Sequence, residues 1–194
     1  VLGSPIFWLV GFGHTMGMMA RRSDQLLGGF FQTAADVPSY LCGGLTSSIT
    51  LGFVLGIVSS KYFQKLKLDS EKKDFVRQRY IYAFLSALGL ALCAKLSVFG
   101  VNTNVVGCMI AVASCAMASS VSFQFYQLPP ICAKLFGRDQ AVCVSFLDGI
   151  AFLLVAPIWL GLGNIISHYG WAAAWTAVAI FLGVGGIAMV KALP

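Results

Sequence analysis

Two adjacent arginines stand in the stretch Met18-Met19-Ala20-Arg21-Arg22-Ser23-Asp24-Gln25, between two apolar runs. A guanidinium is planar, stays charged and donates two parallel hydrogen bonds, so it suits a phosphate or a carboxylate. At the centre of a bilayer an arginine costs about 2.5–3.5 kcal/mol on insertion scales, which drives it toward a cavity or a partner. Three readings of Arg21 follow: contact with an anionic solute, neutralisation by Asp24 three residues on, and a cap at a membrane interface. If the apolar pattern carries one helix on to Phe31, then His14, Gly17 or Met18, Arg21 and Gln25 recur at i, i+3/4, i+7 and i+11 and form one polar stripe. Arg22 then points about 100° away from Arg21.

Other polar residues lie deep in apolar surroundings. Asp148 has three open readings: a proton or cation site, a partner for an arginine, and a packing residue hydrogen-bonded to a neighbouring helix. His14 reads as a hydrogen-bonded core histidine or as a proton relay. Ser120, Gln124 and Gln127 share a face ahead of Pro129-Pro130, a pair expected to break that helix. They suit the lining of an aqueous path and interhelical hydrogen bonding equally. Lys95, near the end of its apolar run, is expected to snorkel to the interface. The six cysteines show no C-x-x-C pairing and read as small buried residues, forming neither a disulfide framework nor a metal site.

The elements that must hold these groups follow from composition. Of 194 residues, 58% are hydrophobic and 10% charged, with a mean hydropathy of +0.84. The apolar residues come in blocks of about 20, the length a helix needs to cross a hydrocarbon core. An all-α membrane protein is expected, with spans near 5–31, 41–60, 80–100, 104–127, 141–167 and 171–191. Alternating barrel strands are absent from the pattern, and in lipid the remaining way to satisfy the backbone is helix. The first residue is Val1 and no signal-peptide pattern precedes the first span, so the chain is expected to be a piece of a longer protein.

The net charge of +6 is unevenly placed. Lys61, Lys65, Lys67, Lys72, Lys73, Arg77 and Arg79 crowd one connection, and Lys134 and Arg138 another, whereas 32–40, 101–103 and 168–170 hold no lysine or arginine. The positive-inside rule then puts both termini and the 61–79 loop in the cytoplasm. Asp69, Glu71 and Asp74 dilute that loop, which reads as an orientation signal before it reads as a lipid or partner site. Nucleic acid is not an expected partner; the lipid bilayer and a small-molecule solute are.

Residues 145–181, SFLDGIAFLLVAPIWLGLGNIISHYGWAAAWTAVAIF, resemble the last two helices of the major facilitator superfamily, joined there by a short turn, here His168-Tyr169-Gly170-Trp171. Gly56-Ile57-Val58-Ser59-Ser60-Lys61 is similar to a degenerate copy of that superfamily's Gly-x-x-x-Asp-Arg/Lys motif, with Ser60 in the acidic position. The resemblance implies the C-terminal six-helix half of a twelve-helix transporter, with an N-terminal half supplied by other sequence. Asp148-Gly149, and Arg21 thirteen residues after Trp8, are similar to features of the organophosphate and sugar-phosphate antiporter branch. The residues after the arginine depart from that branch's Arg-Tyr-Gly.

The resulting expectation is secondary active transport of a small anionic solute by alternating access. Arg21, Arg22, His14, Gln25, Ser120 and Gln124 are the candidate substrate contacts, and Asp148 and Asp24 the candidate coupling or gating residues. The competing expectation is a half-transporter that acts as a structural or regulatory membrane module. No G-x-x-x-x-G-K-[ST] loop for ATP occurs, and no clustered histidine and carboxylate pattern of an enzyme, so neither catalytic residues nor a cofactor is expected.

Overall fold

The computed structural model describes residues 2–22, 24–34, 37 and 39–193; the side chains of Asp24, Ser39 and Tyr40 are outside that description. The described residues are helical almost throughout and contain no strand. The helices are α1 (Pro5–Arg21), α2 (Asp24–Thr33), α3 (Ser39–Lys65), α4 (Asp69–Val98), α5 (Thr103–Phe136) and α6 (Gln140–Ala192), with a 3-10 turn over Gly137–Asp139. Three helical stretches are long and apolar enough to cross a membrane: Leu41–Lys65, Asp69–Val98, and the run Thr103–Ala192 that takes in α5 and α6.

α6 is two limbs. At Gly170 the backbone leaves helical angles with φ 80° and ψ 176°, a conformation open to glycine because it lacks a Cβ. Asp148 on the first limb bonds His14, and on the second limb the Gly185 carbonyl lies where a Cβ on Gly13 would meet it at 2.9 Å. A straight helix would separate residues 148 and 185 by roughly 55 Å at about 1.5 Å per residue. Both reach the same turn of α1, so the limbs run antiparallel. Trp171 ties the reversal to α2, donating from Nε1 to Thr33 Oγ1 at 2.9 Å with its ring 5.5 Å from that of Phe30.

Three expectations about helix boundaries change. The helix expected over 5–31 is two helices, because α1 closes at Arg22, whose N–H bonds the Met18 carbonyl at 3.2 Å, and α2 begins at Asp24. α5 runs through Pro129 and Pro130 to Phe136; the carbonyls left without a helical donor sit in the last turns, where neighbouring groups can serve them. The 61–79 connection is mostly helix, since α3 continues to Lys65 and α4 starts at Asp69. Asp69 and Glu71 suit the positive end of α4, and the Glu71 carboxylate accepts from the Leu68 N–H at 3.3 Å.

The core forms two apolar clusters stacked along the helices. Nearer the basic end are Phe7, Val10, Phe63, Val76, Phe123, Leu128, Ile131, Cys143 and Leu147. Farther away are Met18, Met19, Leu27, Phe30, Ile110, Met117, Val121, Ala151, Val155 and Trp175. The changeover falls at the same level on several helices. There stand Gly11, Gly13, His14 and Gly17 of α1, Gln124 of α5, Asp148 of α6, and Gly185 and Gly186 on its second limb.

Candidate functional site

The changeover level is a polar waist, and its centre is a hydrogen bond between a histidine and a carboxyl group. His14 Nε2 lies 2.7 Å from Asp148 Oδ1. The imidazole is almost fully buried and the carboxylate about one-third exposed, at 3% and 32%. α1 brings His14 inward because its surroundings are glycine, which lets neighbouring helices approach: Tyr80 of α4 donates from its hydroxyl to the Gly13 carbonyl at 3.0 Å. Arg21, two turns further along α1, places a positive charge within electrostatic reach of His14.

Beside the pair, Gln124 projects toward α1. A Cβ on Gly17 would stand 2.5 Å from Gln124 Oε1, so the missing side chain makes room for this amide. His14, Gly17, Met18, Val121, Gln124 and Phe125 line a narrow recess there. Gln124 is 8% exposed, and among the described residues neither its Nε2 nor its Oε1 has a hydrogen-bond partner. A buried amide left unsatisfied costs on the order of 1–3 kcal/mol for each unpaired group, a cost that no contact among the described residues offsets.

The two arginines diverge. The Arg21 guanidinium carbon lies 4.0 Å from the centroid of the Phe125 ring on α5, and that of Arg22 lies 5.4 Å from the Phe152 ring on α6. A guanidinium over a ring face is favourable by about 0.5–2 kcal/mol, depending on desolvation. The adjacent arginines therefore fasten the end of α1 to two different helices. Sequence reasoning missed both ring partners; the available signal was an aromatic residue at the depth of each arginine.

The remaining candidates separate from this centre. Gln25 lies on α2 and is exposed, so the stripe beginning at His14 stops at Arg21. Ser120 is buried, and its hydroxyl donates back to the Ala116 carbonyl at 2.9 Å. The Asp24 side chain, and with it the expected pairing to Arg21, falls outside the described residues. Gln127 Nε2 donates to Ser60 Oγ at 2.5 Å, which joins α5 to α3 at the position where the resembled motif carries an acid.

Comparison with protein families, with curated proteins and with solved structures gives no match for this chain.

Proposed function

We propose that this chain is one half of a secondary transporter that moves a small anionic solute by alternating access, with its helices making six membrane crossings and both termini cytoplasmic. The observation that carries this reading is the His14–Asp148 pair at the waist, beside the unpartnered Gln124 amide. Ionisable residues at membrane depth mark ion or substrate paths by default, because their cost there must be offset by a role. Sites in transporters built from repeats lie near the midplane, at the interface between halves. The waist sits between two apolar clusters, which suits that depth. Arg21 supplies the charge for an anion, Gln124 an amide donor, and Asp148 a carboxylate whose hold on His14 can be broken by a proton. The weaker resemblance to phosphate-ester antiporters makes a sugar phosphate the first solute to try.

The test is uptake by proteoliposomes holding the full-length protein that contains this chain. Asp148→Asn should abolish accumulation driven by a pH gradient while some solute exchange persists, since the neutral amide keeps the shape and loses the charge change. Unchanged pH dependence would assign Asp148 to packing, and no uptake across a panel of sugar phosphates and organic acids would leave the half-transporter as a structural module. A cysteine at Ser70 should label from the cytoplasmic side alone; labelling only from the opposite side would overturn the orientation.

A further inference from the structure

At the basic end of the bundle, the end of α3, the start of α4 and the end of α5 surround a hollow of about 130 Å³. Lys72 and Lys73 reach it from the first turns of α4 and Lys134 from the last turns of α5, with Asp69 as the acidic member of the lining. Phe63, Ile131, Leu135 and Leu193 give it apolar walls. Lys134 is ion-paired to Asp69, and Lys73 Nζ donates to the Leu193 carbonyl at 2.9 Å. Lys72 has no hydrogen-bond or ion-pair partner among the described residues.

We propose that this hollow is a binding site for a phosphate-bearing anion of the phosphomonoester class, carried either by a lipid headgroup or by a free phosphate. An orientation signal needs positive charge on one side of the membrane, and free lysines satisfy it by splaying into water. Here three lysines from two helices line one apolar-walled recess, where like charges repel unless a counter-ion joins them. Three cations against one carboxylate leave two positive charges, which matches the charge of about −1.5 to −2 on a phosphomonoester near neutral pH. Lysine binds phosphate as a point charge, and three terminal oxygens can accept from three separate ammonium groups. A monocarboxylate has two oxygens and one charge.

Asp69 is the internal competitor. Its hydrogen bond from Lys134 holds its carboxyl below the usual range, so at neutral pH the carboxylate occupies one of the three donors. An incoming anion takes that donor over and pins the ends of α4 and α5 together. The site does not depend on whether the chain carries a solute.

The experiment uses the full-length protein in phosphate-free detergent, with thermal melting followed as sodium phosphate, or sodium chloride at matched ionic strength, is added. A parallel arm adds dioctanoyl phosphatidic acid against dioctanoyl phosphatidylcholine. A saturable rise in melting temperature with phosphate assigns the site to a free anion, and a rise with phosphatidic acid alone assigns it to a lipid headgroup. Lys72→Gln, which breaks no hydrogen bond or ion pair, should weaken the response about tenfold in concentration, the equivalent of about 1.4 kcal/mol. Asp69→Asn should strengthen the response, and Lys61→Gln should leave it unchanged. A response no larger than that to chloride overturns the proposal, as does one that survives Lys72→Gln undiminished. The second outcome would place the anion at the waist instead, where Arg21→Lys would remove it.

Discussion

The seam between α3 and α5 and the seam between α1 and the first limb of α6 are built in opposite ways. α3 lays its backbone against α5: a Cβ on Gly56 would stand 2.6 Å from the Ser119 carbonyl oxygen, and one on Gly52 would overlap that of Cys115. Neutral hydrogen bonds close the same seam, with Ser122 Oγ donating to the Phe53 carbonyl at 3.3 Å and Gln127 to Ser60. Across the other seam, α1 and the first limb leave an open apolar groove of about 720 Å³ between Trp8, Phe12, Leu147 and Leu154. They meet through side chains: the tip of Leu147 at Gly11, His14–Asp148, Phe7 against Phe146 and Arg22 over Phe152. A backbone-to-backbone seam cannot slide without losing its contacts, whereas one held by side-chain contacts beside open space can part when those contacts are broken. On the transport reading, α3 and α5 are a rigid plate and the α1–α6 contact is where rearrangement begins.

The largest expected effect comes from breaking the tight seam. In Gly56→Val the added methyl groups meet backbone atoms that cannot turn aside, so a loss of about 3 kcal/mol, the upper end of ordinary overpacking, is expected. Gly11→Ala adds a Cβ against the Leu147 Cδ2 atom at 2.8 Å, and that side chain can change rotamer, so the cost should stay under about 1 kcal/mol. Melting of the two variants in detergent, side by side, measures the difference. Equal losses would erase the contrast between the seams.

An intermediate effect sharpens the contrast at the waist. Gln124→Leu replaces an unpartnered buried amide with an apolar side chain of similar size, and should raise stability by about 1 kcal/mol because an unmade hydrogen bond is removed. Solute uptake in proteoliposomes should fall sharply. A gain in stability with a loss of uptake marks a residue kept for binding. Lower stability would instead mean that the amide is satisfied in the membrane and belongs to the packing.

The sequence shows where helices form more readily than where they end or whom they meet. Apolar blocks and Gly170 are local signals, and each corresponds to a feature of the structure, a helix or the reversal in α6. The break at Arg22 was hidden because Leu26, Leu27, Phe30 and Phe31 continue the apolar pattern beyond it; three of them are buried as α2, a helix of its own. Pro129 and Pro130 misled in the other direction, because a proline removes donors but does not by itself end a helix whose neighbours hold it. His14 and Asp148 each stood out as polar residues in apolar sequence. Their pairing spans 134 positions, and no local spacing encodes a contact made by two helices folding back on a third. The ring partners of the arginines were likewise missed, because depth alone does not say which aromatic residue meets which arginine.

The smallest expected effect separates the two arginines with which the sequence reading began. Arg21→Lys keeps the charge but loses the planar guanidinium over Phe125 and the fork that donates two parallel hydrogen bonds. Arg22 stands farther from its ring, at 5.4 Å, is exposed, and on the transport reading belongs to the seam that parts. Arg21→Lys should therefore lower apparent solute affinity several-fold, by about 1 kcal/mol if one charge-assisted bond is lost, and Arg22→Lys should change it less. Both are read as the solute concentration giving half-maximal uptake. If Arg21 serves only to neutralise Asp24, exchanging the two as Arg21→Asp with Asp24→Arg should restore uptake. On the transport reading the exchange is expected to fail, because an aspartate at position 21 puts a negative charge beside the path proposed for the anion. Rescue would reduce Arg21 to a helix fastener and leave His14, Gln124 and Asp148 as the working part of the waist.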